Sequence, residues 1–138
     1  MTSKLNNILL VDDDHATNFI NKMVIQKAEV TDTLTIKLNG KEAIDYLSNG
    51  VQTDKSAPPD LIFLDINMPV MDGWTFLERY RELREDQKSK IVLVMLTTSL
   101  NPDDKSRAES ESAISGFRTK PLSVKMVQDI VTHYFPNT

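Results

Sequence analysis

Three aspartates stand in a row at residues 12–14, directly after the apolar run Ile8-Leu9-Leu10-Val11. A fourth, Asp65, follows Leu61-Ile62-Phe63-Leu64 and is trailed by Ile66-Asn67-Met68-Pro69. The hydroxyls of Thr97, Thr98 and Ser99 follow the apolar run at 91–96, and Lys120, with Pro121 after it, follows residues 115–119. Each polar group thus sits where a short strand-forming run stops. Carboxylates gathered together repel one another and are costly to keep ionised unless a cation shares them. A set of oxygen donors alone suits a hard ion such as Mg²⁺, which keeps some of its waters and pairs with phosphate. A lysine adds a point charge able to meet a phosphate oxygen, and a threonine hydroxyl can donate to another. No glycine-rich phosphate loop and no Ser-His-Asp set accompanies these residues, so a phosphoryl group would be handled by cation, lysine and hydroxyl.

Such chemistry requires the fold to gather residues that are far apart in the chain. The runs at 8–11, 61–64 and 91–96 are continuously apolar and too short for helices, which reads as buried strands. Residues 33–38 alternate, as a strand with one less covered face would, and 115–119 form a weaker strand candidate. Between them, Phe19, Ile20, Met23 and Val24 recur at the three- and four-residue spacing of an amphipathic helix. A short helix from Lys41 stops at Asn49-Gly50, another is opened by Asp72 as N-cap before Trp74, Leu77 and Tyr80, and a fourth has Asn101 as cap and Pro102 in its first turn. The last carries Val124, Val127, Ile130 and Val131 after Ser123. Strand and helix therefore alternate five times. This pattern predicts an α/β, doubly wound, five-stranded parallel sheet with helices on both faces. Right-handed crossovers then bring every strand's C-terminal end, and with it every candidate residue above, to one edge.

The chain has 138 residues, of which 40% are hydrophobic and 26% charged. That is room for one domain. A chain this long buries roughly two-thirds of its unfolded surface and needs no staple. The absence of cysteine excludes disulfides, thiolate zinc sites and thiol nucleophiles. A net charge of −4 disfavours nucleic acid and anionic membrane as partners. The longest apolar run is far short of the ~20 residues a membrane helix needs, and the N-terminus does not read as a signal peptide. The expected location is cytoplasmic.

Taken in order, Ile8-Leu9-Leu10-Val11-Asp12-Asp13-Asp14, the stretch from Leu61 through Asp65 and Asn67-Met68-Pro69 to Asp72-Gly73, Leu96-Thr97-Thr98 and Lys120-Pro121 resemble the receiver domain of two-component response regulators. The resemblance covers about residues 7–134, so that no output domain is expected besides, and it implies a flavodoxin-like strand order 2-1-3-4-5. It implies Asp65 as phosphoacceptor, attacking a phosphohistidine on a sensor histidine kinase or a histidine phosphotransfer protein. It implies Mg²⁺ held by Asp13 and Asp65, by the Asn67 backbone carbonyl, and by Asp12 directly or through water. Lys120 and Thr97 would meet phosphoryl oxygens, Phe117 would be the aromatic that moves with the threonine, and Asn67 and Ser99 would tune the lifetime of the phosphoryl group. The Lys120-Pro121 bond would be cis. A surface of the fourth helix, fifth strand and fifth helix would select a downstream protein, from a monomer or weak dimer. The protein would be a signalling switch and not an enzyme. Two features depart from the pattern: Thr98 stands where a smaller residue is usual, and Phe117 replaces the commoner tyrosine.

Simpler readings of the same residues stand beside these. Residues 12–14 would serve as a helix N-cap cluster, Asp65 as a turn residue before Pro69, Lys120 as a solvated surface cation, and Phe117 and Trp74 as packing aromatics. Among functional rivals, a phosphatase with a strand-end aspartate nucleophile would want a second aspartate where Asn67 stands. A docking module that works without phosphorylation would have no use for the intact acidic set.

Overall fold

Three runs that are apolar at every position form the middle of a sheet, where both faces are covered. In a computed structural model, which describes residues 5–50, 59–66, 68, 71–83, 92–98 and 101–136, these runs are β1 (Ile8–Val11), β3 (Leu61–Asp65) and β4 (Val92–Thr97). The flanks are β2 (Leu34–Lys37) and β5 (Gly116–Thr119), whose less apolar sequences match their half-buried positions. All pairings are parallel, in the order β2-β1-β3-β4-β5. The chain therefore runs outward from β1 to β2 and returns to β3 on the other side of β1. The crevice between the carboxyl ends of β1 and β3 is the topological switch point.

Because strand side chains alternate, the sheet has two separate cores. Ile8, Leu10, Leu61, Phe63, Val94 and Leu96 pack with Ile25 and Ala28 of α1 (His15–Ala28) and Val127, Ile130 and Val131 of α5 (Val124–Tyr134). Leu9, Val11, Ile62, Leu64, Leu93 and Met95 face α2 (Gly40–Asp45) and α3 (Gly73–Arg81), through Ala43, Phe76, Leu77 and Tyr80. The chain after α2 continues as one π-helical turn, Tyr46–Gly50. Helix α4 (Pro102–Ser110) lies beside β5. Among the described residues no helix is long and apolar enough to cross a membrane.

The anticipated caps are formed. Asp72 accepts from the Thr75 amide at 2.8 Å, Asn101 from Asp103 at 2.9 Å and Ser123 from Met126 at 3.1 Å. The cap of α2 is one that sequence reading passed over: Asn39 accepts from the Glu42 amide at 2.9 Å, and Glu42 reaches back to the Leu38 amide.

Helix α1 corrects the expected pattern. Its apolar stripe does not face the sheet: Phe19, Ile20 and Met23 are 64%, 48% and 55% exposed. The buried positions are Asn18, Asn21, Ile25 and Ala28, one stripe rotated round the helix. Two asparagine amides that find backbone partners can occupy covered positions that hydropathy would give to phenylalanine and methionine.

Candidate functional site

The acidic triplet divides its labour. Asp14 is the N-cap of α1, accepting from the Ala16 amide at 3.3 Å and the Thr17 hydroxyl at 2.5 Å. The Thr17 hydrogen bond is the chief reason its carboxyl sits below the usual aspartate range. Asp12 and Asp13 instead join Asp65: one carboxylate oxygen of each lies within 4.8 Å of the others. Asp12 and Asp65 are buried, and Asp13 is the most open of the three. Residue 14 thus caps the helix, while residues 12 and 13 gather with Asp65.

Lys120 reaches this cluster from the end of β5. Its Nζ donates to Asp12 Oδ2 at 2.8 Å and lies 3.1 Å from Asp65 Oδ1, with only 7% of its side chain exposed. The bond to Pro121 is cis, as the resemblance implies. Burial pulls the ammonium's pKa down, but the hydrogen bond and charge of Asp12, and then those of Asp65, outweigh it. The net position is above the ordinary lysine value. Lys120 is therefore a fixed cation inside the site, not a surface lysine. Asp65 is pushed up to about 6, first by burial and next by the charge of Asp12, while Lys120 works in the other direction. One ammonium does not fully compensate three carboxylates.

The backbone around these groups is equally constrained. Asp12 Oδ1 accepts from the Asp14 amide at 3.0 Å, and the Asp12 amide donates to Lys37 O at 3.1 Å. Next to Asp65, the Gly73 amide donates to Ile66 O at 2.7 Å. A Cβ on Gly73 would stand 2.9 Å from Asp65 O and 3.0 Å from Ile66 Cα, so only glycine allows α3 to start this close to the phosphoacceptor candidate. Thr97 ends β4 and is 2% exposed, and its carbonyl accepts from the Lys120 amide at 2.7 Å. Hence Asp12, Asp13, Asp65, Thr97 and Lys120 share one sheet edge. Phe117 is half-buried, packing on the α2–α3 side of the sheet. The candidates Asn67 and Ser99 lie outside the described residues.

The donor set fits a hard divalent cation: three carboxylates, no nitrogen or sulfur ligand among the described residues, and a surplus of negative charge beside a raised carboxyl. Other residues fill supporting places. His15 is exposed at the start of α1. Trp74 is half-buried and carries the Arg107 guanidinium 4.2 Å from its ring centroid, and Arg81 pairs with Glu111, so α3 is tied to α4 and the turn after it.

A family model described as response regulator receiver domain matches residues 8–132. The response regulator Rcp1 of Synechocystis sp. is 34% identical over 127 residues, covering 89% of this chain and 84% of Rcp1. A solved two component response regulator from Cytophaga hutchinsonii gives a TM-score of 0.87 at 27% identity, over 97% of this chain and 99% of its own. The Mn²⁺-bound form of Rcp1 gives a TM-score of 0.74 at 29% identity, over 96% of each chain.

Proposed function

The chain belongs to the response regulator receiver family, and from that premise we propose that it is a cytoplasmic switch phosphorylated on Asp65 in the presence of Mg²⁺. The observation that carries the reading is the placement of Lys120 Nζ between Asp12 and Asp65, inside a cluster of three carboxylates. A carboxylate oxygen of Asp65 attacks the phosphorus of a phosphohistidine on a kinase or phosphotransfer protein. The new O–P bond replaces the N–P bond, whose electron pair returns to the imidazole, and that nitrogen takes up a proton. With a pKa of about 6, Asp65 is ionised at neutral pH and nucleophilic. Lys120 is held charged and in place to meet a phosphoryl oxygen, and the Thr97 side chain is assigned to a second. Mg²⁺ held by Asp12, Asp13 and Asp65, with the Asn67 carbonyl that the resemblance implies, would neutralise charge on the transferring oxygens. That the similar regulator Rcp1 is solved as a Mn²⁺-bound form supports a divalent ion here too.

Incubation with a small acyl phosphate and Mg²⁺ is expected to add one phosphoryl group, mapped to Asp65 by mass spectrometry and absent from Asp65→Asn. Labelling that survives this substitution would sink the assignment, and steady release of phosphate from monoesters would revive the phosphatase reading.

The exposed Phe19, Ile20 and Met23 lie on the helix that Asp14 caps, and suit the apolar face of a donor protein's helix. Phe19→Glu with Met23→Glu is expected to slow transfer from a phosphorylated histidine protein at least tenfold. Uptake from a small acyl phosphate should stay within about twofold; equal slowing of both would place the patch in the chemistry instead of docking. Output is assigned to α4, β5 and α5; between β5 and α5 a groove of about 570 Å³ is lined by Arg118, Met126, Ile130 and Tyr134.

A further inference from the structure

Asparagine is an unusual choice for the covered face of a helix, and α1 makes that choice twice within one turn. Asn18 is 5% exposed and Asn21 is fully buried, in line with Ile25 and Ala28, while three large apolar residues of the same helix stand in solvent. Burying an amide is costly unless it is paired. Each amide is paired on one half only. Asn18 Nδ2 donates to the backbone carbonyl of Asp12 at 2.8 Å. Asn21 Oδ1 accepts from the backbone amide of Leu122 at 3.2 Å, two residues beyond Lys120. A carbonyl in one case and an N–H in the other fix which way each amide points. The remaining halves, Asn18 Oδ1 and Asn21 Nδ2, are buried without a hydrogen-bond partner, so neither residue is a good solution for stability alone.

The two partners are the two loops that supply the site's opposite charges. Asn18 grips the end of β1 that carries Asp12 and Asp13, and Asn21 grips the loop after β5 that carries Lys120. Lys120 Nζ and Asp12 Oδ2 meet at 2.8 Å just above them. We infer that Asn18 and Asn21 are positioning residues, which use α1 as a common strut to hold the Asp12 carboxylate and the Lys120 ammonium in register. The inference rests on the phosphorylation reading above. Neither residue touches the reacting atoms. Outer-shell partners of this kind change metal affinity about 10- to 100-fold when removed.

The test compares Asn18→Ala and Asn21→Ala with Ile25→Ala, a truncation on the same buried face whose side chain makes no hydrogen bond to either loop. Asn18→Ala is expected to weaken Mg²⁺ binding about tenfold, measured by titration. Asn18→Leu, close in size and uncharged but lacking the donor, is expected to weaken it as well, which keeps the test open if the alanine variant does not fold. Asn21→Ala is expected to speed hydrogen exchange of the Leu122 amide in metal-free protein and to slow phosphoryl uptake from a small acyl phosphate about tenfold, with Mg²⁺ affinity within about twofold. Ile25→Ala should lose stability in urea while Mg²⁺ affinity and uptake stay within about twofold. Equal Mg²⁺ affinities for Asn18→Ala and Ile25→Ala overturn the inference. So does an Asn21→Ala uptake rate equal to the parent's. A parent protein that takes up no phosphoryl group fails the phosphorylation reading instead, and the two failures are separate.

Discussion

Lys120→Met is expected to lower the stability of the metal-free protein by about 3 kcal/mol at pH 7, and to reduce phosphoryl uptake at least a hundredfold. The ammonium is 2.8 Å from Asp12 and 3.1 Å from Asp65, and it is nearly out of contact with solvent. Removing one partner from a buried ionic set leaves the others uncompensated, which costs about 3–5 kcal/mol. The loss is capped because Asp65, already raised to about 6, can take a proton instead. For a domain of this size the change corresponds to a fall of about 10 °C in Tm. Methionine keeps most of the stem's volume, so packing contributes little to the effect. Saturating Mg²⁺ is expected to recover much of the stability, since a dication takes over the ammonium's electrostatic role, but not the uptake rate. Melting curves with and without Mg²⁺ decide the matter. An unchanged Tm in chelator would mean that the carboxylates are already neutral without Lys120.

The second large effect is a dependence on pH that runs opposite to ordinary acid denaturation. Asp65 has an ordinary value of 3.8 and sits at about 6 in the fold. The folded state therefore binds more protons than the unfolded state between these values, and stability falls as pH rises through the window. The contribution is fully present below about pH 4 and lost above about pH 6. Other groups titrate in the same range, so the comparison is with Asp65→Asn. That variant is expected to match the parent near pH 4 and to exceed it by about 2–3 kcal/mol at pH 7 in chelator. Mg²⁺ should narrow the difference by binding the parent more tightly, and its affinity for the parent should fall as pH drops below about 6. Urea titrations at both pH values measure the gap. A gap that is constant with pH, or that favours the parent at pH 7, contradicts the raised carboxyl.

Much of this was legible from residue types. Continuous apolar runs marked β1, β3 and β4 because those strands are covered on both faces, and the weaker patterns at 34–37 and 116–119 belong to the sheet's flanks. The polar residue after each run fell at the right edge, since a parallel sheet leaves no other place for it. Residue types alone do not say which aspartate of 12–14 caps and which belongs to the cluster, because both roles want a carboxylate within two residues; the family resemblance singled out Asp12 and Asp13. Helix α1 misled for a different reason. Hydropathy ranks side chains by transfer to an apolar phase, whereas Asn18 and Asn21 are buried against backbone polar groups that belong to distant loops. The signal was present as two amides three residues apart, in phase with Ile25 and Ala28. Nothing local shows that their partners are at 12 and 122.

The distance along the chain between the site's charges also bears on how the protein comes into being. β1 pairs with β2 and β3, so the three carboxylates can be brought together as soon as β3 has left the ribosome. Their lysine stands 108 positions after Asp12, behind two further strands and two helices. During synthesis the growing chain thus presents an acidic cluster whose internal counter-charge does not yet exist, and any neutralising ion must come from solution. On the phosphorylation reading proposed above, a half-made molecule would have the nucleophile without the group that meets the phosphoryl oxygen, so competence to be phosphorylated would be among the last properties the nascent chain acquires.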